Sequence, residues 1–125
     1  MFKNQKVAAI IVAAGESQRM EGLDKIFAQI KGEPVLSWVL GSFQKSKCID
    51  RIVLVVSQQN IEHAKRLLAL GRWTKITDVC LGGKRRQDSV AEGLKRLTPS
   101  ACEWILIHDG ARPIVTGDLI ERGLE

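Results

Sequence analysis

Six consecutive apolar residues, Val7-Ala8-Ala9-Ile10-Ile11-Val12, run without a polar interruption into Ala13-Ala14-Gly15. A run of that length has the dimensions of a strand, and its lack of alternation predicts that both faces are buried. Strands of this kind belong to parallel sheets covered by helices on each side. The glycine that follows lets the backbone turn sharply at the strand's carboxyl end. The start of the chain therefore calls for a layered α/β fold, and the remainder has to supply the crossovers.

The expected elements alternate. Ile52-Val53-Leu54-Val55-Val56 is a second strand, Ile76 to Leu81 a third with weaker alternation, and Trp104-Ile105-Leu106-Ile107 a fourth. Between them lie helical stripes. Pro34 suits a first helical position and is followed by Val35, Leu36, Val39, Leu40 and Phe43 on one face. Asn60 is placed to cap a helix carrying Ile61, Ala64, Leu67 and Leu68, which Gly71 ends. Asp88 or Ser89 opens a third helix with Val90, Ala91, Leu94 and Leu97 facing inward, stopped by Pro99. Gly93 inside it costs roughly 1 kcal/mol against alanine, which predicts a close approach to a neighbouring element. Strand–helix alternation with right-handed crossovers gives a mostly parallel sheet between two helical layers, a doubly wound α/β fold.

At 125 residues there is room for one domain and not for two. A content of 45% apolar and 26% charged residues is that of an ordinary globular protein. No apolar stretch approaches the ~20 residues of a membrane span, and the first strand leads straight into its glycine loop, so a cytoplasmic protein is expected. The net charge of +5 suits a polyanion. Its cations are scattered, and with 5% aromatics and no Tyr a base-stacking surface for nucleic acid is poorly supplied. Cys48, Cys80 and Cys102 stand apart with no C-x-x-C pair, as expected of reduced, buried thiols. Thr116 begins a helical pattern through Leu119 and Ile120 that stops at Glu125 without a terminating signal, as in a truncated chain.

In such sheets ligands bind outside the carboxyl ends of the strands. After the first strand come Ala13-Ala14-Gly15-Glu16-Ser17-Gln18-Arg19-Met20 and then Leu23-Asp24-Lys25. Small residues and glycine allow the backbone amides to approach a phosphate, with Arg19 as a fork of donors and Lys25 as a point charge; a tight turn bearing two solvated cations fits the same pattern. After the third strand come Gly82-Gly83-Lys84-Arg85-Arg86-Gln87-Asp88-Ser89, whose glycines free the backbone to meet a flat base or ribose; a flexible basic turn is the alternative. After the fourth come His108-Asp109-Gly110-Ala111-Arg112-Pro113, where Asp109 suits either Mg²⁺ or an Asx turn. His108 and His63 carry no pattern that demands a catalytic role.

Taken together, A-A-G-x-x-x-R-M with a following Lys, G-G-x-x-R-x-D-S-V and H-D-x-A-R-P resemble the 2-C-methyl-D-erythritol 4-phosphate cytidylyltransferases of the non-mevalonate isoprenoid route. The likeness runs from Val7 to the end of the chain. It implies a Rossmann-like nucleotidyltransferase fold, with residues 1–125 as the CTP-binding part of a single domain. It further implies that Arg19 and Lys25 contact the CTP phosphates and stabilise the transition state, and that Ala13, Ala14 and Gly15 line the nucleotide loop. Gly83 and Ser89 would meet the cytosine, Asp109 would bind Mg²⁺, Gly110 would lie near the ribose, and Asp88 and Arg112 would brace the loops. A sugar-alcohol phosphate acceptor and a homodimeric full-length enzyme also follow from the resemblance. Ser17 in place of a second glycine, Asp24 before the lysine and the short interval from Arg19 to Lys25 depart from many relatives, and Arg19-Met20-Glu21-Gly22-Leu23-Asp24-Lys25 also resembles the molybdenum-cofactor guanylyl- and cytidylyltransferases. A ribitol 5-phosphate cytidylyltransferase, or a CTP-binding fragment without catalysis, are the alternatives.

Overall fold

The apolar run forms β1 (Val7–Ala13), and every residue in it is buried. The elements that follow are β2 (Arg19–Met20), β3 (Leu23–Asp24), β4 (Gln29–Ile30), β5 (Glu33–Pro34), α1 (Val35–Lys45), β6 (Arg51–Val56), α2 (Ile61–Leu70), β7 (Ile76–Leu81), α3 (Arg86–Lys95) and β8 (Trp104–Asp109). They come from a computed structural model that describes residues 6–14, 19–20, 23–24, 29–30, 32–71, 73–97 and 104–110.

Burial of β1 follows from its place in the sheet. The strand order is β7-β6-β1-β8, with β6 and β8 both parallel to β1 and β7 parallel to β6. Val7, Ala9, Ile11 and Ala13 face one side of the sheet, where α1 contributes Val35, Leu36, Val39, Leu40 and Phe43 and α2 contributes Ala64. Ala8, Ile10, Val12 and Ala14 face the other, where Leu97 and Val90 pack with Val53, Val55 and Cys80. Both faces are apolar because helices cover both, which is the three-layer α/β/α arrangement expected. Burying a single Ile or Leu here stabilises by ~1.5–3 kcal/mol. Asp50 pins the start of β1: its Oδ2 accepts the Val7 N–H at 2.8 Å, and its own N–H donates to the Val7 carbonyl at 2.9 Å.

The helices begin slightly differently from expectation. Pro34 sits just before α1 in an extended conformation, φ −60° and ψ 147°, and pairs with Gln29 in the β4–β5 ladder. Proline's fixed φ serves either position, and here the ladder claims it. Asn60 precedes α2 as expected but makes no side-chain cap bond.

In α3 the first helical residue is Arg86, ahead of Asp88 and Ser89, and the buried face is Ser89 and Gly93 rather than Ala91 and Leu94. Leu94 is 42% exposed. The cause is the close approach predicted at Gly93, where a Cβ would lie 2.7 Å from Ile10 Cγ2 and 3.2 Å from Val55 Cγ2. The helix is rotated to set its glycine against the sheet, which turns Ala91 and Leu94 outward.

Cys48 and Cys80 are buried free thiols; Cys102 and Pro99 lie outside the described residues. No helix among the described residues is long and apolar enough to cross a membrane.

Candidate nucleotide site at the carboxyl edge of the sheet

Because all four strands of the main sheet are parallel, the segments that leave their carboxyl ends share one edge. The register makes this concrete: Ala13 lies opposite Val56, Val56 opposite Leu81, and Val12 opposite Asp109. The first residues beyond the strands continue the ladder. Gly82 N–H donates to the Val56 carbonyl at 2.9 Å, and Gly110 N–H to the Val12 carbonyl at 2.8 Å. From β1 the chain steps outward to β6 and β7, then returns as β8 on the opposite side of β1. The direction of winding therefore reverses between β1 and β8, the place where open α/β sheets leave a crevice.

A cavity of about 500 Å³ opens at this edge, lined by Ala14, Ser57, Gln58, Gly82, Gly83 and Lys84. That volume lies within the ~300–1,000 Å³ of small-molecule sites. Its walls are small because they are tightly packed behind. A Cβ on Gly82 would fall 2.5 Å from Ser89 Oγ and 2.6 Å from Ala14 Cβ, and one on Gly83 would collide with Asp88 Cβ. Ser89 is 2% exposed, so its hydroxyl lies beneath Gly82 rather than on the open rim. A second hollow of about 350 Å³ is built from α2 and β7, with Lys65, Leu68, Trp73 and Val79 in its wall, and takes nothing from the strand-end segments.

The basic turn is braced as expected of Asp88. Its Oδ2 accepts the Arg85 backbone N–H at 3.2 Å and Arg85 Nε at 3.1 Å, and its Oδ1 accepts Arg85 Nη2 at 3.3 Å. Those bonds to Arg85 hold the Asp88 carboxyl below the usual aspartate range. Arg86, the first residue of α3, donates from Nε to Asp109 Oδ1 at 3.2 Å, tying the β7–α3 turn to the end of β8. His108 packs its ring against Phe43 at 5.4 Å between centroids, in the apolar layer under the sheet.

Of the expected site residues, Ala13, Ala14, Gly83, Ser89, Asp109 and Gly110 are brought to one edge by the sheet. Gly15, Lys25 and Arg112 lie outside the described residues, as does the side chain of Arg19, whose backbone in β2 pairs with Asp24 in β3. Gly82, Arg86, Ser57 and Gln58 contribute here without an individual role assigned to them in the sequence. Gly82 stands beside Gly83 in the same motif, and Arg86 is the motif's arginine. Ser57 and Gln58 follow the second strand, the one strand-end segment whose residues spell no motif.

One carboxylate at this edge, Asp109, has the donor chemistry that Mg²⁺ takes, and its Oδ1 is also engaged by Arg86. Among the described residues no group of three His, Cys, Asp or Glu side chains could hold a metal unaided. Mg²⁺ is commonly held by one or two carboxylates together with substrate phosphates, which Asp109 and a bound triphosphate would provide.

The family model described as 2-C-methyl-D-erythritol 4-phosphate cytidylyltransferase matches residues 7–125. The chain belongs to this family. A 2-C-methyl-D-erythritol 4-phosphate cytidylyltransferase of Dehalococcoides mccartyi strain CBDB1 is 54% identical over 125 residues, which is 100% of this chain and 54% of the relative. The cytidylyltransferase of the same description from Clostridium botulinum strain Loch Maree is 44% identical over 120 residues, 95% of this chain and 52% of the relative. The crystal structure of 4-diphosphocytidyl-2C-methyl-D-erythritol synthase from Anaerococcus prevotii superposes with a TM-score of 0.79 at 33% identity, over 94% of this chain and 48% of that one. The chain thus spans about half the length of the cytidylyltransferases it matches.

Proposed function

We propose that this chain forms the CTP-binding face of an enzyme that transfers CMP from CTP to 2-C-methyl-D-erythritol 4-phosphate, giving 4-diphosphocytidyl-2-C-methyl-D-erythritol and pyrophosphate. The observation that carries the reading is the single cavity into which Ala14, Gly82 and Gly83 converge, with Asp109 on the adjacent side of β1. A pyrimidine suits the small-walled cavity, and the triphosphate would then extend toward Asp109.

The acceptor's phosphate oxygen attacks the α-phosphorus of CTP in line, a P–O bond forms, and the bond to the leaving pyrophosphate breaks. That nucleophile is already an anion, so no strong general base is needed, in keeping with a half-buried His108 whose ring packs at a tilt against Phe43. What remains is to hold two polyanions together and offset the charge that builds on phosphorus. By the resemblance to the family, Ala13, Ala14 and Gly15 would line the nucleotide loop, Arg19 and Lys25 would supply positive charge, Gly83 and Ser89 would shape the base site, and Gly110 would adjoin the ribose. Asp109 would hold a magnesium ion, which when bound neutralises phosphate charge. A cytoplasmic location and a homodimeric full-length enzyme belong to the same proposal, and gel filtration would test the assembly.

The test measures binding and turnover separately. Calorimetry should give saturable, magnesium-dependent CTP binding. Pyrophosphate release should require 2-C-methyl-D-erythritol 4-phosphate, and release with ribitol 5-phosphate instead would reassign the acceptor. One preorganised cation is worth ~3 kcal/mol in such a transition state, so Lys25→Ala should cut turnover about a hundredfold or more. Near-normal turnover in that variant at saturating CTP would remove Lys25 from the mechanism.

A further inference from the structure

Ser57 is the first residue beyond β6 and borders the cavity between Ala14 and Gly82. Its Oγ is shielded from solvent and has no hydrogen-bond partner among the described residues. A covered hydroxyl without a partner destabilises the protein that carries it, since water's hydrogen bonds have been given up for nothing. The neighbouring polar groups do not relieve it. Gly82 N–H is committed to the Val56 carbonyl, and Ser57's own carbonyl accepts the Asn60 N–H at 3.1 Å. Among the described lining residues Ala14, Gly82 and Gly83 carry no side-chain polar atom, Gln58 and Lys84 are exposed, and Ser57 supplies the covered hydroxyl.

We infer that Ser57 is a base-contacting residue of the nucleotide site, its hydroxyl reserved for the polar edge of the pyrimidine. The inference rests on the proposed CTP site and adds to it a contact from the β6–α2 segment, which none of the three motifs includes. A serine hydroxyl swings between staggered rotamers, so a ligand that enters the cavity can recruit Oγ by a turn about χ1. The hydroxyl both donates and accepts, so it can meet either a ring carbonyl or an exocyclic amine. It therefore contributes to affinity for a pyrimidine nucleotide more than to the distinction between CTP and UTP.

The two states of the protein respond to its removal in opposite directions. Without ligand, Ser57→Ala deletes an orphaned polar group, and the melting temperature should rise by roughly 2–5 °C. With ligand, it deletes a hydrogen bond, and CTP affinity should fall roughly three- to tenfold. Ser57→Thr retains the hydroxyl and should keep CTP affinity within about twofold of the parent. The experiment is differential scanning fluorimetry and calorimetry with Mg-CTP on the chain and both variants. A raised melting temperature with weakened CTP binding, restored by threonine, supports the inference. Unchanged CTP affinity in Ser57→Ala, while the parent binds CTP, overturns it and leaves the proposed function standing. A parent chain that binds no CTP overturns both. A lowered melting temperature in Ser57→Ala overturns the premise that the hydroxyl is unpartnered.

Discussion

Arg86 at the start of α3 and Asp109 at the end of β8 are joined by a 3.2 Å bond from Nε to Oδ1, across 23 residues of sequence. The pair crosses from the β7–α3 turn to the opposite side of β1, so it links the two halves of the candidate site. With side chains 58% and 27% exposed it contributes little to folding, since pairs in that setting are worth ~0–1 kcal/mol. Arg86→Met should therefore change unfolding free energy by less than about 1 kcal/mol, and a double-mutant cycle with Asp109→Asn should give a coupling within the same bound. Urea denaturation of the four proteins measures it. The magnesium dependence of CTP binding should be lost in Asp109→Asn.

The glycine pair of the second motif answers first to packing. Gly83→Ala would press a methyl group onto Asp88 Cβ, within the turn that Asp88 and Arg85 hold together. Overpacking of this kind typically costs about 1–3 kcal/mol. The expected outcome is a clear drop in thermal stability together with weaker CTP binding, and a variant as stable as the parent would show that the turn yields more easily than its contacts imply.

Acid should loosen that same turn. Hydrogen bonds from Arg85 lower the Asp88 pKa, so the folded state keeps this carboxylate charged at pH values where the unfolded chain has begun to protonate it. The stabilisation is in force above the unfolded aspartate range and fades as pH falls through the lower folded value. Carbon-detected NMR titration should find the Asp88 carboxyl titrating below an ordinary aspartate, and Arg85→Gln should move it back up.

Cys80 is 2% exposed, and burial raises its pKa despite the opposing charge of Arg96. The thiolate is the reactive form, so alkylation by iodoacetamide near pH 8 should be much slower in the folded chain than in urea. Since the folded pKa is raised, any stability linked to this group is complete below the unfolded cysteine value and is lost as pH climbs toward the folded one. Equal labelling rates in the two states would contradict the buried setting.

The features legible in the sequence were those with one local cause. The unbroken apolar run of β1 admitted a strand covered on both faces, and Gly93 announced a close approach, which the structure sets against Ile10 and Val55. The three motifs marked strand ends, and the parallel sheet does bring Ala14, Gly83 and Asp109 to one edge. What escaped depended on partners far along the chain. The start of α3 is set by an Asp88–Arg85 exchange that periodicity does not register, and the two-residue ladders β2–β3 and β4–β5 are too short to leave a pattern. Arg86 acquires its partner only once β8 is known to lie beside β1. Ser57 belongs to no motif, and its hydroxyl stands out only once the described residues around it are seen to offer it no partner.

The central claim is that a cytidine triphosphate occupies the carboxyl edge of the sheet, and amide NMR of the labelled chain titrated with Mg-CTP tests it most directly. Saturable shifts should be largest at Ala14, Ser57, Gly82, Gly83 and Gly110. Shifts centred instead on Lys65, Leu68 and Trp73 in the α2–β7 hollow, or none that saturate, would contradict it.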